Sequence, residues 1–153
     1  MLLMSDCTTI LDRTTEALAD TDAFASVRNT EAGIRADARE VDSEAYYKVW
    51  QQDGRLYVGL FTPDRWLSES IEADLMFKGD KLEELLEDEL IDQGYEGPVP
   101  AFEHFRDDEK IYVFRSPLPA EAAGDAETLA KVMLAYEATF HQLGDMSEDE
   151  GAL

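Results

Sequence analysis

The sequence predicts an α+β fold in the order helix, antiparallel β-meander, helix, β-hairpin, helix. Three observations predict it. Asp53-Gly54 stands between two alternating runs that end at Gln52 and restart at Arg55. A two-residue type I′ turn takes such a pair because both central residues need positive φ. A second pair of short runs, Ala101 to Arg106 and Lys110 to Ser116, flanks Asp107-Asp108-Glu109. Apolar residues spaced by threes and fours mark a helix near the N-terminus, one over Lys81 to Gln93, and one after Asp125.

Taken in order, residues 6 to 20 put Cys7, Ile10, Leu11, Thr14 and Leu18 on one helical stripe, with Ser5 or Asp6 available as cap. Residues 20 to 32 are polar and mixed, and Phe24 and Val27 fit either a short strand or a tucked loop. Gly33 to Val41 alternates Ile34, Ala36 and Ala38 with Arg35, Asp37 and Arg39, which reads as an outer strand, although a helix also fits.

If Asp53-Gly54 is the turn, Gln52 pairs with Arg55, Trp50 with Tyr57, Val49 with Val58, Lys48 with Gly59, and Tyr46 with Phe61. Alternation then sorts the side chains. Ala45, Tyr47, Val49, Leu56, Val58 and Leu60 make an aliphatic core face. Tyr46, Lys48, Trp50, Tyr57, Gly59 and Phe61 make an aromatic face with a cation beside a glycine gap.

Thr62-Pro63-Asp64-Arg65 reads as a turn, and the segment to Phe77 reads as a third strand of the meander. Leu67, Ile71, Ala73, Leu75 and Phe77 share one parity; Ser68, Ser70, Glu72 and Asp74 take the other. Glu69 breaks the pattern, for which a bulge or a sheet edge is the plain explanation. The alternative is a helix capped by Thr62 with Pro63 at its first position. It is set aside because Ser70 and Asp74 would then share the stripe of Leu67 and Ile71.

Asp80 with Glu83 forms a capping box for the helix Lys81 to Gln93. Leu82, Leu85, Leu86 and Leu90 are its stripe, and Gly94 stands where a terminating glycine belongs. Pro117 and Pro119 stop the second hairpin. The last helix is capped by Asp125, buries Leu129, Val132, Met133, Tyr136, Phe140 and Leu143, and closes at Gly144. The reading is therefore one domain over residues 1–144, with an acidic, disordered tail over 145–153.

Charge narrows the function classes. The 153 residues carry 35 acids and 13 bases, for a formal net charge of −22. A field of that sign repels phosphate backbones and anionic lipid, so neither nucleic acid nor membrane is expected as a partner. Solubility or a saline cytoplasm accounts for the excess; a basic partner is the functional alternative. The N-terminal MLLMSD has no basic flank and too short an apolar run for a signal peptide, and no run approaches a membrane span. A cytoplasmic location is expected.

Chemistry is sparse. The lone cysteine, Cys7, sits on a helical stripe and reads as a buried thiol. His104 and His141 have no partner at metal-ligand spacing, and no nucleophile elbow, phosphate loop or dinucleotide loop occurs. Asp107-Asp108-Glu109 is a turn, since calcium-loop spacing is missing. Glu83, Glu84, Glu87, Asp88 and Glu89 read as a solvated helix side. No cofactor or metal is called for, and an enzyme is not expected. The alternative is a small acid/base enzyme with a pocket between the sheet and the last helix, using His104, Glu103 or Glu69.

What remains is the aromatic face: Tyr46, Lys48, Trp50, Tyr57, Phe61 and, through the predicted third strand, Trp66, with Arg55 beside them. If helices cover one side of the sheet only, this face is exposed, and exposed aromatic patches mark interfaces. If helices cover both sides, it is a second core layer.

The order of elements, the acidity and the two hairpins resemble the type III secretion chaperone-like fold. Over residues 6 to 144 the chain looks like its cytoplasmic YbjN-like relatives, a family described as bacterial sensory transduction regulators. The resemblance implies a non-enzymatic, often dimeric protein that binds other polypeptides. It lends no motif, so no functional residue is carried over, and the strand at Gly33 to Val41 and the polar residues on the third strand depart from it. A homodimer is expected, with the leucine-rich helix or the sheet as its seam, and a different polypeptide is the second partner class.

Overall fold

The computed structural model describes residues 4–21, 23–30, 33–38, 44–78, 82–95, 97, 99–118, 125–141 and 143, with backbone alone at 4–9, 77 and 78. The elements are α1 (Met4–Ala19), β1 (Phe24–Thr30), β2 (Gly33–Ala38), β3 (Tyr46–Gln52), β4 (Arg55–Thr62), α2 (Arg65–Lys78), α3 (Leu82–Asp92), β5 (Glu103–Arg106), β6 (Tyr112–Pro117) and α4 (Ala126–His141). The strands form one antiparallel sheet in the order β1-β2-β3-β4-β6-β5. After β4 the chain leaves through α2 and α3, re-enters at the far edge as β5, and folds inward so that β6 pairs with β4.

The central hairpin has the predicted register, from Gln52 opposite Arg55 to Tyr46 opposite Phe61. Asp53 and Gly54 both hold positive φ, 55° and 79°, as the tight turn requires. Phe24–Thr30 is a strand rather than a loop, and Gly33–Ala38 is the strand expected there. The second hairpin is also present. Asp107 Oδ1 accepts from the Glu109 and Ile111 amides, so this carboxylate holds the turn.

One element departs from the sequence reading. Residues 65–78 form helix α2, not a third meander strand. Asp64 is the cap: its Oδ1 accepts from the amides of Trp66 (2.9 Å) and Leu67 (3.3 Å). Leu67 and Ile71 are fully buried and Leu75 packs on the same core, a spacing of four that also has even parity. The two periods coincide at these positions, and Glu69 decides between them. As a strand residue it would point inward; on the helix it is exposed and bridges Arg65 at i,i+4. Thr62, the cap considered for a helix, instead donates its hydroxyl to the Glu44 carbonyl and accepts from the Asp64 amide.

The other helices follow their stripes. Leu86 and Leu90 of α3 are buried. Gly94, at φ 82°, ends α3 with paired bonds from the Gly94 amide to Ile91 and from the Tyr95 amide to Leu90. Glu83 accepts from the Phe102 amide at 3.1 Å; its expected capping partner, Asp80, lies outside the described residues. Asp125 caps α4 through the Thr128 amide and hydroxyl. Leu129, Val132, Met133, Tyr136, Phe140 and Leu143 are all buried. The Cys7 side chain, Gly144 and the 145–153 tail reading lie outside the described residues.

All four described helices lie on one side of the sheet. Asp12 of α1 hydrogen-bonds Asn29 of β1, Glu72 of α2 meets His104 of β5, and Tyr136 of α4 meets Ser116 of β6 at 2.7 Å. α3 packs on α4. Beneath them Tyr47, Val49, Leu56, Val58 and Leu60 are buried with Ile34, Ala36 and Phe114 in a single core. Burying apolar area here contributes about 25 cal/mol per Å², the main favourable term of the fold. Within that core the Tyr136–Ser116 pair is a buried side-chain hydrogen bond joining α4 to the sheet. Tyr136→Phe strands the serine hydroxyl and is expected to cost about 1–2 kcal/mol in urea unfolding. Adding Ser116→Ala should recover part of that loss, because both polar partners are then gone.

Candidate functional site

The side of the sheet opposite the helices is uncovered among the described residues. Tyr46, Lys48, Trp50, Tyr57 and Phe61 lie together there and are half-buried, as the hairpin parity predicts. Their partial burial comes from one another. Tyr46 stacks on Phe61 (centroids 5.5 Å apart, 5° between planes), and Trp50 stacks on Tyr57 (5.6 Å, 20°) while meeting Phe61 edge-on at 5.2 Å. Trp66 is not part of this surface. It lies on α2, in the helical layer, and is 69% exposed.

The register across the whole sheet arranges this side in rows. One row runs Tyr46, Phe61, Val113, Phe105; another runs Trp50, Tyr57, Pro117. Between them runs a third. Arg28 stands opposite Arg35, Arg35 opposite Lys48, Lys48 opposite Gly59, Gly59 opposite Arg115, and Arg115 opposite Glu103. Gly59 is buried and leaves no space for a side chain: a Cβ would lie 2.9 Å from the Phe114 carbonyl oxygen and 3.2 Å from the Phe61 ring. Arg55, opposite Gln52 at the turn, faces the same way.

Cations and rings are tied together along these rows. Arg35 lies 3.8 Å over the Tyr46 ring, Arg115 lies 4.8 Å over Tyr57 and 4.9 Å over Phe105, and Lys48 is 5.3 Å from the Phe61 centroid. Asp37 and Glu103 pair within the rows, at 3.0 Å with Arg35 and 3.1 Å with Arg115, and Glu44, Asp107 and Glu109 stand near the Tyr46 end. Burial pushes the Asp37 carboxyl up. The Ser26 hydroxyl and Arg35, with Arg28 behind them, more than offset this and hold it below the usual carboxylate range. Burial raises the Tyr46 phenol; Arg35 opposes that rise, while Glu44, Asp107 and Glu109 add to it.

The three acid/base candidates do not share a face. His104 points into the helical layer, stacked 3.8 Å from Phe114. Its Nδ1–H donates to the Val113 carbonyl and its Nε2 lies 2.9 Å from Glu72. Glu103 points to the uncovered side, and Glu69 is exposed beside Arg65. His141 pairs with Glu137 on α4 at 3.6 Å. Among the described residues no three His, Cys, Asp or Glu side chains converge as a metal site, and no helix is long and apolar enough to cross a membrane.

No protein-family model matches the chain, and no curated protein sequence matches it. Arg28, Arg35 and Arg115 are the members of the surface that hairpin reasoning missed. Lys48 and its glycine partner follow from Asp53-Gly54 alone. The others depend on which strands flank the hairpin, and β6 reaches β4 only after two intervening helices.

Proposed function

We propose that this is a non-enzymatic, polypeptide-binding protein of the chaperone-like or regulatory kind, acting through the uncovered aromatic face of its sheet. One observation carries the reading: every described helix packs on one side, leaving five large aromatic or cationic hairpin side chains on the other. Surfaces rich in Trp, Tyr and Arg are where binding energy concentrates. The YbjN-like resemblance agrees with it and belongs to the same proposal, as do a homodimer or a second polypeptide as partner, a cytoplasmic location, and no role for nucleic acid.

Trp50→Asp tests it. The residue is half-buried, and its visible bonds are ring contacts and an indole N–H donated to Gln52. We expect a folded variant that loses about 1–2 kcal/mol of stability and loses binding. The readouts are mass by light scattering at low and high salt, and retention on an array of extended peptides. Association that persists in the folded variant removes the face from the function. Unfolding shows that the face is part of the core.

A further inference from the structure

We infer that the partner of this face is an acidic, extended polypeptide segment, laid across the strands with its carboxylates on the central row of cations; this rests on the reading just given. The row is the anomaly of the fold. Like charges directly opposite on neighbouring strands destabilise a sheet, yet Arg28, Arg35 and Lys48 face one another on three successive strands, and Arg115 continues the line across Gly59. A chain with 35 acids and 13 bases had abundant acids for these positions. Asp37 and Glu103 neutralise part of the row, Glu44, Asp107 and Glu109 act near its Tyr46 edge, and Arg28, Lys48 and Arg55 are the further cations of the row and of its turn end. In a molecule of net charge −22 this is a local cluster of cations.

The dimensions of the row suit an extended segment. Adjacent strands are about 4.8 Å apart, so the row from Arg28 to Arg115 spans about 19 Å, the length of about six extended residues. At Gly59 the Phe61 ring and the Arg115 Cβ close over the backbone, so the two aromatic rows and the cations between them form one continuous surface on which a segment lies. A nucleic acid fits less well. Bases bind such platforms by stacking on ring faces. Here Tyr46 carries Arg35, Tyr57 carries Arg115, and the rings stack on each other. A phosphate at every nucleotide also meets more of the surrounding negative field than a few carboxylates do. A second copy meeting face to face would set cation row against cation row.

The test compares acetyl-(Glu-Thr)4-amide with acetyl-(Gln-Thr)4-amide and a ten-nucleotide oligouridylate on the full chain. Binding is measured by calorimetry at low and high salt, on wild type and on Lys48→Glu. The Glu peptide should bind more tightly than the Gln peptide, weaken about tenfold or more as salt screens the row, and be lost in Lys48→Glu. That substitution also places a carboxylate opposite Arg35. Its Tm should hold or rise, separating lost binding from lost folding. Equal, salt-insensitive binding of both peptides overturns the inference while leaving the aromatic-face reading intact. Failure of both peptides, together with unchanged behaviour of Trp50→Asp, overturns both. Tighter binding of the oligouridylate, or a salt-sensitive dimer with no peptide binding, overturns it in favour of nucleic acid or of a second copy.

Discussion

Leu86→Glu should abolish cooperative folding. Leu86 is fully buried beneath α3 in the common core. Removing it forfeits about 2–3 kcal/mol of burial, and an unpaired carboxylate in its place adds several kcal/mol of desolvation. Together these rival the whole stability of a domain, about 5–15 kcal/mol. We expect lost near-ultraviolet dichroism and no sharp thermal transition. Ile91, on the same helix and 63% exposed, is the control: Ile91→Glu should stay within about 0.5 kcal/mol of wild type. The comparison also bears on the leucine-rich helix as a dimer seam. Its leucine stripe faces the core, so a seam on α3 has to use the Ile91 side. A folded Leu86→Glu monomer would show that the stripe is not core, while a folded Ile91→Glu that loses dimerisation would place the seam there.

How much of this was legible in the sequence depended on how local each signal was. Asp53-Gly54 specifies its turn by φ alone, so the whole β3–β4 register and both of its faces follow from eighteen consecutive residues, 45–62. Gly94 and Asp125 mark helix ends by the same kind of local chemistry. The segment 65–78 did not yield, because Leu67, Ile71 and Leu75 satisfy periods of both two and four. Asp64, whose carboxylate caps the helix, fits a turn equally well, and Glu69 fits a bulge. Read as a strand, the segment puts Trp66 on a face that the helix takes it away from. The cation row is a different case. Each of its residues sits in a segment read as strand, but the row exists only once β2, β3, β4 and β6 are ordered side by side, and strand order is a long-range property. Its one local clue was Arg35 alternating with Ile34 and Ala36, which gives a face but not a neighbour.

Gly33→Ala should be nearly as damaging as a core charge, and for a reason confined to the backbone. Gly33 opens β2 at φ 111°, a conformation L side chains avoid, and a Cβ there would lie 2.1 Å from the Val49 carbonyl oxygen on β3. Neither strain can relax without moving β2 away from β3, so the methyl group is expected to cost at least about 3 kcal/mol, or about 10 °C in Tm at this size. The loss should be uneven. Val58, Leu60 and Phe114 hold β4 and β6 beneath the helices, whereas β1 and β2 form the outer edge. Hydrogen exchange should therefore show β1 and β2 amides losing protection before those of β4 and β6. Because Arg28 and Arg35 ride on those two strands, the Glu-peptide affinity should fall further than Tm alone explains, while Trp50 keeps its contact with Tyr57. Uniform loss of protection across all six strands would mean that the edge and the centre of the sheet fold as one unit, and that the outer cations are held as firmly as the aromatic rows beside them.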